Sequence, residues 1–285
     1  MSALPAHPEP ALCDPAALAR FAVESLRLEL DTYPKPGLVS PVDSGSHTDM
    51  DAATFAASAA ALEPHFAALA QAAARGVGME GLRRIGLDAE AAMRRATGGV
   101  NTHRGAIFGL GLLVAAAGAL GAPGHLLAPE ALGAHVRSRY ARAILDGPVL
   151  LHAPGARVRR RYGVGGAPAE AAAGFPTLYR VGLPALRRGR RVRPGDDEAA
   201  RVEACLALIA ALDDTNLLHR GGEAGARFAR AEAAAFIEAG GVARGDWKTR
   251  AEALHRAFVA RRLSPGGAAD LLAMTLFVDR LERPA

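Results

Sequence analysis

The sequence predicts an all-α fold: a single compact multi-helix domain over residues 15–285, with a buried central apolar helix and a long irregular excursion rich in Gly, Pro and Arg. Three observations predict it. Half of the residues are hydrophobic but only 5% are aromatic; Ala and Leu at this density favour helices, and β-branched residues are too sparse for a large sheet. Apolar residues recur at helical spacing along most of the chain. The breaks between these runs carry Gly, Pro, Asp and Ser, the residues that stop and cap helices.

The elements follow in order. Residues 1–14 are Pro-rich, lack the basic-then-apolar pattern of a signal peptide, and are expected to be flexible. A first helix is expected over 15–32, with Leu18, Val23, Leu26 and Leu30 apolar, and the Pro-Lys-Pro-Gly run at 34–37 ends it. In the polar stretch 40–51, Thr48 and Asp51 have capping-box spacing. A second helix then runs to Ala74 with Phe55, Ala59, Leu62, Phe66 and Leu69 on one face and Pro64 as a kink point. A third, over 78–96, turns Leu82, Ile85, Ala89 and Met93 inward. The fourth, over 102–120, is the apolar one. Its stretch 105–122 is long enough to suggest a membrane span, but it carries five glycines and has no second spanning candidate beside it. A buried core helix, with no membrane partner, is the expectation. A fifth helix covers 129–145, and 147–195 forms the excursion, least regular over 147–175. Helices resume over 196–212, 224–238 and 246–262. The last spans 264–281, with Ser264 as N-cap and Pro265 at the first helical position.

The formal net charge is +5, and only Lys35 and Lys248 among the basic residues are lysines. Arginine suits bidentate recognition of phosphate, so an anionic small substrate fits. Nucleic acid is not expected, because the aromatic platforms that stack single strands are missing. Cys13 and Cys205 form neither a metal-binding pair nor a disulfide framework, which points to a reduced, cytoplasmic protein. Gly163-Val164-Gly165-Gly166 lacks the Gly-Lys-Ser/Thr ending of a phosphate-binding loop, and neither a Gly-x-Ser-x-Gly elbow nor a His-Glu-x-x-His zinc helix occurs.

Four polar clusters carry the candidate chemistry. The most informative is Thr97-Gly98-Gly99-Val100-Asn101-Thr102-His103-Arg104-Gly105, a glycine-rich turn leading into the apolar helix. Free N–H groups and the helix dipole there favour an anion; the bland alternative makes His103 a buried structural histidine. A second cluster follows Lys35-Pro36-Gly37: Asp43, His47, Asp49 and Asp51, whose carboxylates could hold Mg2+ or simply cap a helix. A third is Asp213-Asp214-Thr215-Asn216 through Arg220, either metal ligands or a helix stop ending in Gly-Gly. The fourth is the pair of Arg runs, Arg157 with Arg159–Arg161 and 187–193, which are either solvated surface or phosphate contacts.

In this order the clusters resemble the triphosphoribosyl-dephospho-CoA synthase family. The resemblance rests on stretches 34–39, 45–51, 97–105, 174–176, 214–216 and 263–272, and spans nearly all of the chain after residue 14. It implies that ATP loses adenine and that its ribose anomeric carbon is joined to the 2′-hydroxyl of 3′-dephospho-CoA, the triphosphate being kept. The product would be the precursor of the prosthetic group on an acyl carrier protein, loaded by a separate prosthetic-group transferase. Residues 40–47 look closer to the malonate decarboxylase branch than to the citrate lyase branch. The implied roles are Asp49, Asp51 and Asp214 at ribose or metal, with Asp213 as a further metal ligand and one of the acids as base. His47 or His103 would protonate adenine. Lys35, Gly37, Ser46, Glu90, Gly98, Gly99, Asn101, Thr102, Arg104, Asn216 and Arg220 would contact substrate. Two positions depart from the family pattern: Pro168 stands where a basic residue is expected, leaving Arg161 or Arg180 to substitute, and Arg104 where lysine is common. The alternatives are a metal-dependent hydrolase of the ADP-ribosylglycohydrolase type, loosely similar in its Asp-Asp-Thr run, and a helical nucleotide- or RNA-binding module using the Arg runs.

Overall fold

The computed structural model describes residues 14–121, 127–148 and 154–282. Of the N-terminal segment expected to be flexible, only Asp14 falls among them; its carboxylate caps the first helix by accepting the N–H groups of Ala16 and Ala17. Among the described residues there are twelve α-helices and no strand. The first five are α1 (Pro15–Leu30), α2 (Ala52–Ala74), α3 (Met79–Ala96), α4 (Arg104–Leu120) and α5 (Pro129–Leu145).

Helix α4 is the centre of the molecule. It packs against α1, α2, α3 and α5, and its residues from Leu110 to Ala117 are all buried. Its glycines set how closely neighbours approach: a Cβ on Gly118 would stand 2.3 Å from the carbonyl oxygen of Ala70 in α2. No helix is long and apolar enough to cross a membrane among the described residues; the apolar stretch is spent inside the protein.

Several local expectations are corrected. Asp51, not Thr48, is the N-cap of α2, and Thr54 completes its capping box. Pro64 lies inside an unbroken α2. The excursion is helical where described: α6 (Pro154–Tyr162), α7 (Gly166–Ala172), a π turn (Leu178–Gly182) and α8 (Leu183–Val192). Its second Arg run is a staple. Arg188 pairs with buried Glu203, Arg190 bonds Asp197 at 3.1 Å and Asp279 at 2.6 Å, and Arg193 donates to the carbonyls of Val242 and Arg244. These bonds tie α8 to α9 (Asp197–Ala211) and to the chain beyond it.

The largest difference lies after α9. Helix α10 (Thr215–Glu238) begins nine residues before the expected 224, because Asp214 caps it and Leu217 and Leu218 bury their side chains. The Gly-Gly pair is a kink within it: Gly222 has φ 60° and ψ −163°, a left-handed conformation open to glycine. After α11 (Trp247–Ala260), α12 (Gly266–Glu282) starts later than expected, since Ser264 is engaged elsewhere. Helix α12 packs on α1, α4 and α9, so the first and last helices touch and one apolar core runs through both.

Candidate active site

The N-termini of α4, α10 and α12 converge on one cleft, each lining it with its own first residues: Arg104 and Gly105, Asn216, and Gly266. Three positive helix ends aimed at one space favour a ligand with negative charge. The turn before α4 is shaped by Gly98 (φ 63°) and Gly99 (φ 97°), which lie outside the cleft. They deliver Asn101, Thr102 and His103 to its wall.

His103 is buried. Thr102 Oγ1 donates to Ser58 Oγ at 2.7 Å, which leaves the Ser58 hydroxyl to donate to His103 Nδ1, also at 2.7 Å. Nδ1 is therefore the acceptor, and Nε2 carries the proton. That N–H is buried with no partner, while Phe55 packs edge-on against the ring at 4.9 Å. Burial, and then the charge of Lys35, push His103 down to about 3. It is a neutral N–H donor at physiological pH, facing a cleft that holds the complementary acceptor only when a ligand is present.

His47 has the opposite arrangement. Arg220 Nη2 sits 3.2 Å from Nδ1, and guanidinium can only donate, so Nδ1 accepts and Nε2–H points at Ser264 Oγ, 2.9 Å away. Asp49 lies 3.7 Å from the same Nδ1. The three side chains look like a Ser–His–Asp triad, but His47 gives a proton to the hydroxyl and takes none from it, so Ser264 is not an activated nucleophile. Burial, and then the Arg220 charge, hold His47 below its ordinary value. Arg220 also binds the carbonyls of Ser46 and Arg262, locking the mouth of the cleft. Arg104 pairs with Glu90 at 3.1 Å.

The floor is acidic, built from two residues that sequence reasoning missed. Glu29, from α1, is buried and lines the cleft. Lys35 lies beneath it and donates both to its carboxylate and to its carbonyl, each at 2.6 Å. Burial raises Glu29 and Lys35 pulls it back. Asp270, from α12, is partly buried and lines the cleft. Its Oδ2 lies 1.9 Å from where a Cβ on Gly105 would stand, so glycine at 105 is what admits it. Burial first, then Glu29 and Asp214, hold Asp270 well above the usual carboxylate range, against one N–H bond from Ala106. The sequence signal for this contact was the glycine at the second position of α4.

Other expected residues stand apart from the cleft. Lys35 is turned inward to Glu29, and Gly37 is packed against the carbonyl of Leu263. Ser46 donates to that carbonyl at 2.6 Å. Asp214 accepts the N–H groups of Asn216 (2.7 Å) and Leu217 (3.4 Å) on one oxygen and of Ala268 (3.0 Å) on the other, capping α10 and α12 together. Burial raises it, and these donors oppose the shift. Asp51 is consumed by Thr54, Asp213 pairs with Arg230, and Asp49 is exposed. The four acids expected at a metal thus do not form a shared donor set, and among the described residues no three His, Cys, Asp or Glu side chains gather to hold one. They do not fit a resident Mg2+. Pro168 and Arg180 are also outside the cleft; Arg161 lines a separate groove with Arg157, Tyr162 and His219.

Comparison with known proteins shows the family of the chain. Curated relatives called probable 2-(5″-triphosphoribosyl)-3′-dephosphocoenzyme-A synthase are similar along nearly their whole length. The one from Stutzerimonas stutzeri is 46% identical, over 99% of this chain and 96% of its own. The one from Pseudomonas paraeruginosa is 45% identical (93% and 90%), and the one from Azotobacter vinelandii 44% (96% and 94%). No solved structure matches. The family model described as CitG, ATP:dephospho-CoA triphosphoribosyl transferase, matches residues 15–285. With a match over so much of its length, the chain belongs to the CitG family of transferases.

Proposed function

We propose that the cleft transfers the triphosphoribosyl group of ATP to the 2′-hydroxyl of 3′-dephospho-CoA and releases adenine. The observation that carries this is a cleft with two electrostatic halves, in a chain whose relatives bear the synthase name over nearly their full length. At the mouth, Arg104, Arg220 and the start of α4 suit the triphosphate, with Asn101 and Thr102 as neutral donors. On the floor, Glu29 and Asp270 suit a ribose that gains positive charge as adenine departs, as in other glycosyl transfers. The partnerless N–H of His103 holds an oxygen of the substrate; the proton transfers fall to other groups. Asp49, exposed beside His47, guides the acceptor at the rim, and Asp214 holds the frame.

In the same proposal Mg2+ enters as the counter-ion of ATP, the protein acts in the cytoplasm, and the product serves an acyl carrier protein of malonate decarboxylase through a prosthetic-group transferase. The support for the malonate branch is the sequence of residues 40–47. The experiment is a mass spectrum and adenine assay on the purified protein. With ATP and 3′-dephospho-CoA, it yields one adenine per molecule of product, whose mass is the sum of the substrates less adenine. Adenine release from ATP alone would identify a hydrolase instead. Excess chelator should stop turnover while leaving the melting temperature of the ligand-free protein unchanged.

A further inference from the structure

The floor of the cleft has an imbalance of charge. Asp270, from α12, feels the negative charge of two other carboxyl groups, Glu29 from α1 in the cleft lining and Asp214 at the start of α10 outside it. The cation beneath the floor, Lys35, gives both its bonds to Glu29. At the mouth, Arg104 is paired with Glu90. Arg220 is spent on two carbonyls and His47. Asp214 is satisfied by three backbone N–H groups. Asp270 has one, from Ala106, and no cation pairs with it among the described residues. A partly buried carboxyl with two acidic neighbours and a single donor holds its proton more tightly than an ordinary carboxyl does. The small and apolar side chains of Leu26, Ala269 and Ala273 stand around the same cleft and leave little for that proton to bond except a ligand.

The reaction needs such a proton. Adenine leaves poorly as an anion and well as a neutral base. We propose that Asp270 is the catalytic acid of the transfer, protonating the departing purine from the floor of the cleft. The inference rests on the transferase function proposed above. The C1′–N9 bond of ATP breaks with its electron pair passing to the purine, while the Asp270 proton moves to a purine ring nitrogen. The 2′-oxygen of dephospho-CoA forms the new bond to C1′. The proton it loses returns to the Asp270 carboxylate, directly or through water, and the cycle closes without net gain or loss. In the interval Asp270 is ionised beside the cationic ribose, so the same side chain stabilises the charge its proton transfer creates. His103 and His47 cannot replace it, because both are neutral rings presenting an N–H that is not acidic at physiological pH.

The test pairs Asp270→Asn with two donors, ATP and N7-methyl-ATP, whose methylated purine already carries positive charge and leaves neutral without help. Product is followed by mass in both cases, and melting confirms that the variant is folded. With ATP the variant should slow by about 10²–10⁴-fold, the usual worth of general acid catalysis; with N7-methyl-ATP only the later parts of Asp270, as counter-charge and proton acceptor, are lost, and the slowing should be at least about tenfold smaller. Equal losses on both donors, or near-normal turnover of ATP, would overturn the assignment. The wild-type protein supplies a second measurement free of any folding question. Its turnover of ATP should fall as pH rises past the value at which Asp270 loses its proton, and its turnover of N7-methyl-ATP should not. The other charged and titratable groups in and around this floor (Glu29, His103 and Arg104 in the lining, Lys35 and Asp214 behind it) act on both donors alike and cancel in the ratio. Parallel profiles would sink the proposal. A wild-type protein that makes no product from ATP and dephospho-CoA would instead refute the function itself.

Discussion

At the scale of single residues, hydrogen-bond direction decides what a side chain can do. His103 and His47 are both histidines beside a hydroxyl, and each is fixed as a neutral ring by its neighbours. For His103 the consequence is measurable. Its folded value of about 3 lies below the ordinary 6.5, so the unfolded chain takes up a proton that the folded one refuses. Stability from this group is therefore whole above pH 6.5 and is lost progressively as pH falls toward 3. Between pH 7 and pH 5 the loss is about 2 kcal/mol. His103→Gln cannot titrate, so the gap in melting temperature between wild type and variant should narrow over that interval. A gap independent of pH would show that His103 is not held neutral. The residue was legible in the sequence as part of the polar block before α4, but its role was not. Ser58, forty-five positions earlier, assigns the proton, and no local pattern announces such a partner.

At the scale of elements, the helix starts do most of the positioning. One carboxylate, Asp214, satisfies N–H groups at the beginnings of both α10 and α12. Asp214→Ala would leave three such groups unpaired, two of them in buried surroundings. Its expected cost is about 3 kcal/mol, read by chemical denaturation, with Asp214→Asn intermediate because one acceptor oxygen survives. No loss of stability in the Ala variant would mean that the two helices are held by other means. The adjacent acids at 213 and 214 were visible as an oddity at the end of an apolar helix. They read either as metal ligands or as a helix stop ending in Gly-Gly; in the structure Asp214 opens the next helix and Gly222 only bends it. Close approach between elements gives a second prediction. Gly118→Val would drive its side chain into the backbone of Ala70, so α2 and α4 must separate. The variant should lose about 1–3 kcal/mol or fail to accumulate as soluble protein. An unchanged melting temperature would contradict that packing.

At the scale of the whole molecule, the fold was largely legible and the site only partly. Helix α5 has the bounds that its sequence suggests, and α3 comes within one residue of them, because caps and apolar spacing are local signals. The mouth of the cleft was legible for the same reason: Asn101 to Arg104 form one continuous polar block. The floor was not. Glu29 sits between two leucines in an ordinary amphipathic helix, and Asp270 follows a run of small residues. Each becomes informative only when α1 and α12 pack together and α4 offers Gly105 between them. Glu29 lies in none of the stretches that carry the family resemblance, and Asp270 lies in one, 263–272, without standing out there as a site residue.

That dependence on both helices has a consequence for the protein during its own synthesis. Glu29 leaves the ribosome early, with α1, and Asp270 only with α12. A nascent chain that has emerged through α11 already carries the arginines of the mouth, yet it lacks Asp270 and half of its acidic floor. On the role proposed for Asp270, such a chain lacks the acid of the transfer, however well its earlier helices have folded. On the same proposal, the transfer becomes possible only when the twelfth helix docks, so completion of the chain and completion of the site coincide.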